Sequence, residues 1–121
     1  MAEPALDLSE IMDLYKEDAR RMVGQMRIAQ ACWEEVQQGG PARQELRKLS
    51  HQMRGSGRTY GFREATRLCK AIENIIQKLE KNKLPADERI RKSLHLKIER
   101  LAAVFSAAET LADPPKRSGG A

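Results

Sequence analysis

The segment His51-Gln52-Met53-Arg54-Gly55-Ser56-Gly57-Arg58-Thr59-Tyr60-Gly61 is the one stretch of this 121-residue chain whose residue types suggest chemistry rather than scaffold. On a helix advancing about 100° per residue, Ala42, Leu46, Leu49 and Met53 gather on one side, and His51 points about 155° from their centre, into solvent. Arg47, Lys48, Arg54, Gly55 and Arg58 share that outer face. Cations around an imidazole favour its neutral form, in which one ring nitrogen is a nucleophile, and they stabilise a phosphoryl group once it is attached. Gly55, one turn beyond His51, removes a side chain that would crowd this nitrogen, at a helix-propensity cost of about 1 kcal/mol. A lone exposed histidine on a basic helix is, on its own, more often a solvated residue than a reactive one. His95, within Leu94-His95-Leu96 and without a flanking glycine, is read that way, as structural.

Positioning His51 requires a scaffold, and the apolar spacing supplies one. Ser9 is expected to cap a first helix with Met12, Tyr15, Ala19, Met22, Val23, Met26 and Trp33 at helical intervals, and Gly24 leaves room for a kink or division within it. Gly39-Gly40-Pro41 breaks the chain, and the helix carrying His51 starts near Ala42, with Gly61 as its stop. Ala65, Leu68, Ile72, Ile75 and Leu79 form the buried stripe of the next helix. Pro85 then suits the start of a last one, burying Ile90, Leu94, Ile98, Leu101, Phe105 and Ala108 up to about Leu111. Four amphipathic helices with short breaks predict an all-α fold, an antiparallel four-helix bundle with a divided N-terminal helix as a variant. Residues 1–8 are read as a leader, 9–112 as the bundle and 113–121, which follow the pattern with Asp, Pro, Lys, Arg, Ser and Gly, as a disordered tail.

Composition bounds the function. The chain is long enough for one core, and 40% hydrophobic residues with only 4% aromatics favour interdigitating helices over a β-sandwich. A formal charge of +5 makes acidic surfaces the plausible partners, whether nucleic acid, anionic lipid or an acidic protein pocket. Cys32 and Cys69 lack CxxC or metal-ligand spacing and read as buried thiols of a reducing cytoplasm. No apolar run approaches the ~20 residues that span a bilayer, so no membrane association is expected.

The His51 stretch resembles the signature of histidine phosphotransfer (HPt) domains, in which a helical histidine is followed by an apolar residue, Lys or Arg with Gly, small residues, then an apolar residue and Gly. Met53, Arg54, Gly55, Ser56, Gly57, Tyr60 and Gly61 fill those places. The segment containing Leu68, Cys69, Ile72 and Glu73 is similar to the family's next helix. Arg54 stands where Lys is commoner, offering a planar fork of donors in place of a point charge, and Gly57 where Ser or Ala is commoner. The resemblance implies a phosphorelay module in which His51 accepts a phosphoryl group from a receiver aspartate or a histidine kinase and passes it to another receiver. Arg47, Lys48, Arg54, Gly55 and Arg58 would then stabilise the group or bind the partner. It implies no cofactor or metal in the domain itself, with Mg²⁺ held by the partner receiver, and a cytoplasmic monomer.

No GxxxxGKS/T phosphate loop occurs, so autonomous kinase activity is not expected. A basic helical module binding nucleic acid is the first alternative, motivated by Arg20, Arg21, Lys81, Lys83, Arg89, Arg91 and Lys92. Their dispersion over several elements, without a recognition-helix motif, weighs against it. A docking adaptor that is never phosphorylated is the second, and the intact His51 weighs against that.

Overall fold

A computed structural model describes residues 7–112, with side chains up to Ser106. The helices are α1 (Leu8–Ala31), α2 (Trp33–Gln38), α3 (Pro41–Thr59), α4 (Arg63–Glu80) and α5 (Glu88–Ala112). Among the described residues there is no strand. Most of the leader and all of the tail expected from the sequence, together with the side chains of Ala108 and Leu111, lie outside the described residues.

The helix ends follow from residues the chain carries at each boundary. α1 is capped by Asp7, not by Ser9: the Asp7 carboxylate accepts from the Glu10 amide at 2.8 Å, and the Glu10 carboxylate accepts from the Asp7 amide, a reciprocal capping box. Ser9 lies inside the first turn. The division of the N-terminal helix falls at Cys32, whose backbone leaves the helical region at ψ 61°, and Gly24 sits within a continuous α1. Cys32 is accordingly exposed at that joint, whereas Cys69 is buried as expected. Burial pushes the Cys69 thiol up to about 12, and the nearby Glu73 carboxylate adds to this. α5 starts at Glu88, three residues past Pro85, because the Asp87 carboxylate accepts from the Ile90 amide at 3.1 Å and so supplies the cap.

Around the core, α1 packs on α3 and α5, and α4 packs on the same two helices, closing a four-membered ring. Polar contacts give the directions. Arg20 donates to the Phe105 carbonyl, Arg27 pairs with Glu99 and Gln30 donates to the Arg91 carbonyl, so α5 runs opposite to α1. Met26, Leu46, Met53, Ile72, Ile76, Leu94, Ile98, Leu101 and Phe105 are fully buried at the centre. The stripe expected on α4 is shifted at one position: Ile76 is fully buried and Ile75 only partly. Arg43 ties α2 down, donating from Nε to the Val36 carbonyl at 2.7 Å and from Nη2 to the Gln37 carbonyl at 2.9 Å, with Glu80 of α4 at 3.6 Å.

The connection that matters for His51 is the tight turn between α3 and α4. Gly61 adopts φ +82°, the Phe62 amide donates to the Gly57 carbonyl at 2.8 Å, and the Gly61 amide donates to the Arg58 carbonyl, which together form a Schellman end. At Gly57 the two helices come together so closely that a Cβ would lie 3.0 Å from the Thr66 hydroxyl. The turn and this contact fix the register of α4 against α3.

Candidate functional site

His51 lies in the middle of α3 on the face opposite Ala42, Leu46, Leu49 and Met53, all four of which are buried. Its side chain is 66% exposed. The register set at Gly57 brings Glu73 of α4 opposite the ring. Glu73 Oε2 lies 2.7 Å from His51 Nδ1, and Glu73 Oε1 lies 3.2 Å from a terminal nitrogen of Arg54. The carboxylate is only 14% exposed, and its Oε1 is buried without an aligned hydrogen bond, so Arg54 holds it through charge. An ionised carboxylate only accepts hydrogen bonds, so Nδ1 must be the protonated ring nitrogen. Nε2 makes no hydrogen bond among the described residues and, in the neutral ring, carries the lone pair.

This corrects the expected surroundings in one respect. The charged group in hydrogen-bond contact with the imidazole is a carboxylate, and Arg47, Lys48 and Arg54 line the groove around it. An open groove of about 560 Å³ runs along α3 and α4 past His51, lined by Arg47, Lys48, Arg54 and Glu73 among others. Lys48 also reaches Glu45 at 3.9 Å. Gly55 and Arg58 do not line this groove. They line a neighbouring cleft that shares Arg54 with it. Among the described residues, no atom beyond the adjoining stretch of α3 lies within 4 Å of where a Cβ of Gly55 would stand, so the outward face is open one turn beyond His51. His95 is exposed on α5, outside both grooves.

Glu73 is the residue whose role the sequence did not reveal. A signal for it exists: an acid one position after the buried Ile72, on the edge of the apolar stripe, is a carboxylate carried towards a neighbouring helix. Among the described residues, no cluster of three or more His, Cys, Asp or Glu could hold a metal ion, and no helix is long and apolar enough to cross a membrane.

The family model for the Hpt domain matches residues 10–104. The chain belongs to the Hpt family. Comparison with curated proteins and with solved structures gave no match. Hpt domains serve histidine phosphotransfer in phosphorelays and interact with receiver domains or kinases, and they are helical bundles, as this one is. The matched residues contain α3 and α4 whole, with His51 and Glu73 among them.

Proposed function

We propose that this Hpt domain carries a phosphoryl group on Nε2 of His51, taking it from a receiver aspartate or a histidine kinase and passing it to a receiver aspartate. The observation that carries the proposal is the pairing of Nδ1 with a largely buried carboxylate on an otherwise exposed imidazole. That pairing orients the ring and leaves the outer nitrogen as the nucleophile.

In the transfer from an aspartyl phosphate, the Nε2 lone pair attacks phosphorus in line. The N–P bond forms as the P–O bond to the donor breaks, and the electron pair leaves with the aspartate carboxylate. The ring gains positive charge while Nδ1 keeps its proton, and Glu73 offsets that charge without a proton having to move. Onward transfer is the same step reversed. Arg47 and Lys48 beside His51 counter charge on the phosphoryl oxygens. A Mg²⁺ ion supplying the remaining neutralisation would sit in the receiver's acidic pocket.

Incubation with a phosphorylated receiver, or with a kinase and ATP, should give acid-labile label on the parent protein. His51→Gln should carry none, and His95→Gln should label as the parent does. Undiminished labelling of His51→Gln would remove the assignment.

A further inference from the structure

Across Arg54 from the His51 groove lies the second open cleft, of about 720 Å³, between the end of α3 and the first turns of α4. Its charged lining is Arg54, Arg58, Arg63 and Lys70, with no carboxylate. Arg54 is committed to Glu73. Arg58, Arg63 and Lys70 are exposed, and none of them makes an ion pair among the described residues. Elsewhere on the same helices Arg67 pairs with Glu64, Lys48 with Glu45 and Arg43 with Glu80, while Arg47 and Lys78 make no ion pair among the described residues. Positive charge from two helices is therefore left facing one opening, where an anionic occupant would relieve the repulsion.

Size and lining narrow the occupant. The volume is that of a pocket for a ligand of many atoms, so a lone phosphate would leave most of it empty, whereas a short run of peptide fills it. No aromatic side chain lines the cleft to stack a base, which disfavours single-stranded nucleic acid. Gly55 leaves the wall shared with the His51 face low enough for extended backbone to pass. Because Arg54 borders both openings, a molecule exchanging a phosphoryl group at His51 must lie beside or over this cleft.

We propose that the cleft is a docking groove for an acidic segment of the phosphotransfer partner, with Arg58, Arg63 and Lys70 receiving its carboxylates. The partner's identity as a phosphotransfer protein rests on the reading of His51 above, but occupancy of the groove can be measured without any transfer.

The test titrates a fluorescein-labelled hexaglutamate peptide into the full chain at low salt and follows its anisotropy, for the parent, the double variant Arg63→Gln/Lys70→Gln, and His51→Gln. The double variant should bind roughly tenfold more weakly or worse, since it loses two charge-assisted contacts. It should unfold at the parent's temperature, since both side chains are exposed. His51→Gln should bind the peptide as the parent does. Equal binding by the parent and the double variant, or none by the parent, overturns the groove. Displacement of the peptide by inorganic phosphate at lower concentration than by unlabelled peptide overturns it in favour of a small-anion site. Tighter binding of a single-stranded oligonucleotide, lost in the same double variant, overturns it in favour of nucleic acid. Peptide binding intact on a protein whose His51 takes no label supports the groove and sinks the phosphocarrier reading alone.

Discussion

Glu73 gives His51 what a neighbouring cation could not, an acceptor for Nδ1–H and a negative charge beside a ring that would turn positive if Nε2 were phosphorylated as proposed. Arg54 keeps that carboxylate in place from its other oxygen. Glu73→Ala should therefore keep acid-labile label on His51 but slow its transfer, by on the order of 100-fold if the ring swings about 1 Å out of line. Glu73→Gln retains an oxygen that can accept from Nδ1 and should fall between the two. A ¹⁵N spectrum of the imidazole separates positioning from mere stability: the parent and Glu73→Gln should show the Nδ1–H tautomer, and Glu73→Ala a mixture. Unchanged tautomer populations and rates in Glu73→Ala would leave Glu73 a structural carboxylate. The sequence allowed His51 to be placed because outward orientation depends only on the period of one helix. Glu73 was hidden because its role depends on the register between two helices, and that register is set by the Gly57–Thr66 contact, which no single-helix pattern encodes.

α3 is the element in which local pattern and tertiary structure agree most closely. Gly40 precedes Pro41 at its start, Gly61 closes its end, and every residue of the expected stripe is buried. α1 and α5 start elsewhere than expected because two candidate starts compete within a few residues. Asp7 with Glu10 makes a reciprocal box that Ser9 cannot match, and Asp87 caps α5 where Pro85 only precedes it. Gly24 stays helical because a glycine weakens a helix by only about 1 kcal/mol, less than continuous packing on α3 and α5 supplies. The same magnitude bears on Gly55, where an added Cβ would meet no described atom within 4 Å beyond the adjoining stretch of α3, and whose backbone has no positive φ. Gly55→Ala should leave the bundle as stable or up to about 1 kcal/mol more stable in thermal unfolding. Gly55→Gln and Gly55→Leu should fold equally well, yet slow receiver-to-His51 transfer steeply, because their side chains would rise beside the approach to Nε2. Stability falling in step with activity along the series Gly, Ala, Gln, Leu would instead assign Gly55 to packing.

At the scale of the whole molecule, the ring of α1, α3, α4 and α5 was legible because each helix has one apolar stripe, and four such stripes have few other ways of being buried together. The distribution of charge over that ring was legible only in part, since a net charge of +5 does not say which face is left uncompensated. The structure concentrates Arg47, Lys48, Arg58, Arg63 and Lys70 along the α3–α4 side, around a histidine whose partner would bring an acidic pocket. Attraction of this kind acts mainly on encounter. It is screened over a Debye length of about 10 Å at 0.1 M salt and about 3 Å at 1 M. The second-order rate of transfer from a phosphorylated receiver should therefore fall by roughly tenfold or more between low salt and 0.5 M. The first-order rate within the saturated complex should change little, and so should labelling of His51 by phosphoramidate, a small donor that needs no docking. Because Arg54 is spent on Glu73, Arg54→Ala should leave most of the salt slope in place, whereas charge removal at Arg58, Arg63 and Lys70 together should flatten it. A parallel fall of all three rates with salt would show that the ions act on the His51–Glu73 pair itself, and that the cationic face plays no part in drawing the partner in.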